Sequence, residues 1–174
     1  EFLKTLNSIV HEKFPGAIMI AEESANYPKL TAPLNEGGIG FDYKWNMGWM
    51  NDTLKYMETD PLYRAGIHNK MTFSMMYAFN ENYILPLSHD ECVHGKKSLL
   101  DKMYGEYYQK FASVKAYLGY MFAHPGKKLL FMGNEIGQFM EWRYYEQIEW
   151  KLLQYETHRG LYGFVKELLA IYND

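Results

Sequence analysis

Side chains capable of chemistry are concentrated in "SHDECVHG", residues 88–95, which directly follows an apolar run. This stretch contains two carboxylates, two imidazoles and the only cysteine of the chain: His89, Asp90, Glu91, Cys92 and His94. Three kinds of site use such residues. Cys92 and the histidines could bind a metal, Cys92 could act as a nucleophile beside a base, or a carboxylate could serve acid–base chemistry.

The metal and thiol hypotheses have little further support. His89, Cys92 and His94 do not share one face of a strand, and no second cluster in the sequence supplies a fourth ligand. A lone cysteine is more often a small buried apolar residue than a ligand or a nucleophile. The "GKKS" that follows resembles the end of a phosphate-binding loop, but Asp90 stands where that pattern requires glycine. We therefore expect no metal and no phosphate cradle.

The carboxylate hypothesis gains support from "AEES", residues 21–24, which follows a second short apolar run. Cleavage of a glycosidic bond needs an acid to protonate the leaving oxygen and anions to stabilise an oxocarbenium-like transition state. Two strands that deliver carboxylates to one edge of a sheet would meet this need. The pattern does not choose Glu22 over Glu23 or Asp90 over Glu91, because strands of a parallel barrel are buried on both faces.

Four apolar runs that end in turn or polar residues predict the strands that position these groups. The runs lie in "AIMIAEES", "GIGFDYKW", "NYILPLSHD" and "KKLLFMGNE". Apolar residues at helical spacing predict helices near residues 3–14, 47–57, 69–79, 111–121 and 163–172. Strands that alternate with helices indicate an α/β fold with a parallel sheet.

Polar residues after three of the four strands favour a (β/α)₈ TIM barrel over a doubly wound sheet. They follow the first, third and fourth predicted strands: Glu22, Glu23 and Ser24; His89, Asp90 and Glu91; Asn134 and Glu135. A complete barrel has eight strands and about 250 residues. We therefore predict that residues 1–174 are the carboxyl-terminal half of a barrel domain, truncated on its amino-terminal side.

The composition excludes several classes of partner. The net charge is −3, and no basic cluster suited to nucleic acid or an anionic membrane surface is present. A single cysteine cannot form an internal disulfide, and no run of 18 apolar residues occurs. These features predict a protein of a reducing, soluble compartment, the cytoplasm. They give no indication of the oligomeric state.

Four segments resemble consecutive blocks of the bacterial 1,4-α-glucan (glycogen) branching enzymes of the α-amylase superfamily. They are "IAEES", "GFDYKWNMGWMNDTLKYM", "LPLSHDECVHGKKSLLDKM" and "PGKKLLFMGNE". The resemblance implies a catalytic barrel from the helix before the fifth strand to the helix after the eighth. It also implies glycosyl transfer from α-1,4 to α-1,6 linkages of an α-1,4-glucan such as glycogen, without metal or organic cofactor.

The resemblance also implies roles for individual residues. Glu22 would be the general acid and base, Asp90 and His89 would hold sugar hydroxyls, and Cys92 would be a packing residue. The family's nucleophilic aspartate belongs to a fourth-strand motif that this sequence does not contain. Asp42, in "GFDYKW", belongs by resemblance to the sixth strand and is not assigned that role.

Without that nucleophile the isolated chain is expected to be inactive. Two alternatives to a branching enzyme stay open at this point. The first is an α-glucan hydrolase of the same superfamily, which would use the same carboxylates with water as acceptor. The second is a non-catalytic glucan-binding fragment.

Overall fold

Four strands form one parallel sheet in the computed structural model, which describes residues 1–174. The strands are β1 (Ile20–Ala21), β2 (Tyr43–Trp45), β3 (Tyr83–Leu87) and β4 (Lys127–Leu130). They are ordered as they follow in the chain, and every neighbouring pair is parallel. The predicted α/β fold with four parallel strands is therefore confirmed.

Seven α-helices lie between and around the strands, four of them long and three of a single turn. They are α1 (Phe2–Lys13), α2 (Met47–Glu58), α3 (Pro61–Arg64), α4 (Asn69–Thr72), α5 (Leu99–Lys102), α6 (Tyr107–Ala123) and α7 (Glu156–Asn173). Short 3₁₀ turns separate them, including His89–Glu91 after β3 and Asn134–Ile136 after β4. No helix combines the length and the apolar character needed to cross a membrane.

The prediction of one continuous helix over residues 69–79 was wrong. The chain forms α4 and then a separate 3₁₀ turn, Phe73–Met76. In this turn Ser74 is buried and its Oγ lies 2.8 Å from Nε2 of His124, at the end of α6. The apolar neighbours Phe73 and Met76 are exposed, so their spacing does not mark a buried helix face.

The hydrophobic core lies between one face of the sheet and the long helices α2, α6 and α7. Trp49 of α2 is fully buried and stacks on Tyr117 of α6, with 5.8 Å between the ring centroids. Asn46 starts α2 because its Oδ1 accepts a hydrogen bond from the Trp49 amide. Leu85 and Leu87 of β3 pack into the same cluster. This face is the helix side of the sheet.

Strand alternation assigns the remaining side chains to the two faces. Leu85 is on the helix side, and so is Tyr83 two positions earlier. Lys44 pairs with Tyr83 in register and therefore shares that side. Ile20, one residue before Ala21, faces the opposite side and is 45% exposed. In a closed barrel, this opposite face is the inner one.

Candidate active site

The carboxyl ends of all four strands meet at one edge of the sheet, since the strands are parallel. Glu22 directly follows β1, and Asp90 lies in the 3₁₀ turn that begins two residues after β3. Only β2 separates these two strands. The structure therefore brings Glu22 and Asp90 to the same edge, which is the placement that a shared site requires.

Glu23 is engaged in structural contacts. Its carboxylate accepts hydrogen bonds from the amides of Ala25 and Tyr27, and from Nζ of the buried Lys44 at 2.8 Å. Burial alone would raise the pKa of Glu23, but the bond from Lys44 and the two amide bonds outweigh it and lower the pKa. Glu23 is thus held as an anion that fixes the loop after β1.

Glu22 has the opposite environment. Glu23 bonds to Lys44 on the helix side. Strand alternation continued past Ala21 predicts that Glu22 faces the inner side, as Ile20 does. Glu22 is exposed, and of the two glutamates only Glu23 has hydrogen-bond partners. Of the two glutamates, Glu22 is therefore the one whose carboxylate has no partner within the chain and is open to a ligand.

The same distinction separates Asp90 from Glu91. Oε2 of Glu91 accepts hydrogen bonds from the amide and the hydroxyl of Ser88, at 2.6 and 2.8 Å, and closes a capping box. Asp90 instead has its Oδ1 3.1 Å from Nε2 of His89, and both side chains are about half exposed. Asp90 and His89 can therefore contact a ligand at this edge together.

Two aromatic side chains that the sequence analysis did not single out lie beside this pair. Phe131, directly after β4, and Trp142, in the following loop, lie 5.9 and 6.3 Å from the His89 ring, centroid to centroid. Their own centroids are 5.2 Å apart and the rings are nearly perpendicular. Flat apolar surfaces beside polar groups suit the faces and hydroxyls of a sugar ring.

Cys92 is a packing residue in this structure. It is 5% exposed, and its thiol lies 3.3 Å from the carbonyl oxygen of His89. Burial raises the pKa of the thiol to about 11, so the thiolate is scarce at neutral pH. No group of three or more His, Cys, Asp or Glu side chains is arranged to hold a metal ion.

Replacing Cys92 with valine is expected to change the free energy of unfolding by less than about 1.5 kcal/mol, because the two side chains are similar in volume. Urea denaturation of both forms measures this. Leu85→Ala, at a fully buried position, is the control and should cost about 2–5 kcal/mol. Zinc-dependent folding, or rapid reaction of the native thiol with an alkylating reagent, would contradict the packing role.

Asp42 lies at the opposite edge of the sheet. It precedes β2, and its Oδ2 accepts a hydrogen bond from the Met19 amide at 2.6 Å and lies 2.9 Å from Nε2 of His11. Burial acts to raise the pKa of Asp42, but these bonds lower it. Asp42 therefore joins α1 to the sheet and is separated from Glu22 by the length of the strands.

Comparison with solved structures identifies the class of fold. The maltogenic amylase from S. marinus matches 98% of this chain and 23% of its own, with a TM-score of 0.60 and 16% identity. The cyclic α-maltosyl-(1→6)-maltose hydrolase from Arthrobacter globiformis matches 95% of this chain and 36% of its own, with a TM-score of 0.54 and 16% identity. The chain thus has the fold of one part of each of these two enzymes.

Comparison with curated sequences is more specific, although no protein-family model matches the chain. The 1,4-alpha-glucan branching enzyme GlgB of Halothermothrix orenii is 60% identical over 172 residues, which cover 99% of this chain and 27% of the relative. The enzymes of the same name from Oceanobacillus iheyensis and Geobacillus stearothermophilus are 55% and 58% identical, over 98% and 99% of this chain. The resemblance to branching enzymes of the α-amylase superfamily is confirmed, and the chain spans about a quarter of these relatives' length.

Proposed function

We propose that this chain supplies the fifth to eighth strands of the catalytic barrel of a cytoplasmic 1,4-α-glucan branching enzyme. The observation that carries the proposal is the 55–60% identity, over nearly the whole chain, to enzymes of that name. An edge that presents Glu22 and Asp90 supports it independently. The glucan substrate and the transfer activity are those of the whole enzyme.

The proposed reaction is a retaining double displacement. An aspartate outside these 174 residues attacks the anomeric carbon while Glu22 protonates the oxygen of the leaving chain, so the α-1,4 bond breaks and a glycosyl–enzyme ester forms. The Glu22 carboxylate then accepts the proton of a glucan 6-hydroxyl. That oxygen displaces the aspartate, forms the α-1,6 bond and leaves Glu22 protonated as at the start.

Asp90 and His89 hold the sugar in this scheme. A carboxylate accepts strong, charge-assisted hydrogen bonds from sugar hydroxyls, and the neighbouring imidazole supplies a further polar contact. Both side chains are half exposed and 3.1 Å apart, so one sugar unit can contact both. Phe131 and Trp142 form an apolar wall against which the sugar ring can pack.

The acceptor distinguishes branching from hydrolysis, because the same carboxylates can activate either a glucan hydroxyl or water. Structural likeness to two hydrolases at 16% identity concerns the fold alone. The much higher identity to branching enzymes favours a glucan hydroxyl as acceptor. A hydrolytic function is therefore not favoured.

A chimeric enzyme tests the proposal. In the Halothermothrix orenii enzyme, the matching segment is replaced by this chain, which is 60% identical to it. The chimera should lower the iodine absorbance of amylose and create new α-1,6 branch points, whereas the isolated chain should do neither. New reducing ends without branch points would indicate a hydrolase. Turnover by the isolated chain that Asp42→Asn abolishes would place the nucleophile within these residues.

A further inference from the structure

Two loops at the carboxyl edge are joined by the carboxylate of Glu141. Residues 93–98, called here the β3–α5 loop, connect the 3₁₀ turn after β3 to α5, and residues 138–149 belong to the segment after β4. The Gly95 amide donates to Oε2 of Glu141 at 2.9 Å, and the Lys97 amide donates to Oε1 at 2.7 Å. Both carboxylate oxygens are therefore used to hold the neighbouring loop.

The backbone of the β3–α5 loop is shaped around this carboxylate. His94, Gly95 and Lys97 all have left-handed backbone angles, with φ of 54°, 81° and 67°. Two of them are not glycine, and such residues adopt this region only when other contacts compensate for the strain. The two amide bonds also lower the pKa of Glu141, which keeps it anionic. Glu141 is thus one of the partners that hold this loop conformation, beside Lys102, whose Nζ donates to the Lys96 carbonyl oxygen.

Trp142, the residue after Glu141, connects the two bonds of Glu141 with the β3–α5 loop, together called the clamp, to the candidate site. The Trp142 amide donates to the Cys92 carbonyl oxygen at 3.0 Å, so the backbones on both sides of the clamp are tied together. The Trp142 ring packs edge-on against His89 and Phe131. The position of Trp142 in the apolar wall thus depends on where the backbone of residues 141 and 142 is held.

We propose that Glu141 is a positioning residue for glucan binding, acting by clamping the β3–α5 loop and holding Trp142 against His89. This inference rests on the proposed function of the carboxyl edge. Glu141 does not itself contact the reacting sugar, so its loss affects the hold on the glucan more than the chemical step.

Glu141→Gln in the chimeric enzyme tests the proposal. The glutamine amide has one oxygen acceptor in place of two, so only one of the two loop amides remains satisfied. We expect KM for amylose to rise about five- to tenfold and kcat to change less than twofold. Amide hydrogen exchange in residues 93–98 should become faster. Glu146→Gln, which removes only an exposed pair with Arg143 in the same segment, is the matched control. It should change neither KM nor the rate of amide hydrogen exchange in residues 93–98.

A double-mutant cycle with Trp142→Ala separates this role from general damage. If Glu141 acts through Trp142, the double variant should have about the same KM as Trp142→Ala alone. Fully additive effects, or equal losses in kcat and in kcat/KM, would overturn the inference. An unchanged KM in Glu141→Gln, together with inactivation by Glu22→Gln, would refute the inference while leaving the proposed function intact. A chimera without further substitutions that forms no branch points would refute the proposed function instead.

Discussion

Glu22→Gln in the chimeric branching enzyme is expected to lower the rate of branch formation by about 10²- to 10⁴-fold, the usual contribution of a general acid–base residue. Glutamine keeps the shape of the side chain but can neither donate the carboxyl proton nor accept one. Folding should be unaffected, because Glu22 is exposed and none of the loop-anchoring bonds after β1 involve it. Initial rates from the iodine assay, with a thermal melt of the same sample, measure both effects.

Glu23→Gln is the matched control for this prediction. It should retain most of the activity and melt at a lower temperature, because Lys44 loses its anionic partner in a buried position. The reverse pattern, an inactive Glu23→Gln and an active Glu22→Gln, would show that the assignment is off by one residue.

Asp90→Asn is expected to lower kcat/KM by about 10²-fold or more. Hydrogen bonds to a charged acceptor are worth about 1.5–3 kcal/mol each, and the neutral amide cannot provide them in the same way to two sugar hydroxyls. The loss should appear as weaker binding of the transition state, with little change in melting temperature, since Asp90 is half exposed. Kinetics over a range of amylose concentrations measure it.

Asp52→Asn is a suitable control for Asp90→Asn. Asp52 lies on α2 and pairs with Lys70, on the helix side of the sheet. Its substitution makes the same change of charge away from the carboxyl edge and should leave kcat/KM within about twofold. A similar loss in both variants would indicate a general effect of charge, and Asp90 would then have no direct role.

Much of the architecture could be predicted from local patterns. Apolar runs such as "YILPL", residues 83–87, and helical spacing in α2 and α6 follow from the burial of one strand or one helix face, which short sequence windows record. Within the predicted helix over 69–79, the 3₁₀ turn Phe73–Met76 buries Ser74 against His124, 50 residues away. Such long-range polar contacts leave no periodic signal in the sequence.

Residue types and strand ends alone sufficed to select "AEES" and "SHDE" as the acidic segments and to point to glycosidic chemistry. They did not suffice to choose within each pair. Glu23 is bonded to Lys44, 21 residues away, and Glu91 to Ser88, so both of these carboxylates have partners within the chain. Only the register of the sheet, continued past Ala21, predicts that Glu22 faces the inner side. Packing of the loop after β4 likewise brings Trp142 to His89, because loop positions depend on contacts such as that of Glu141 with Gly95, 46 residues apart.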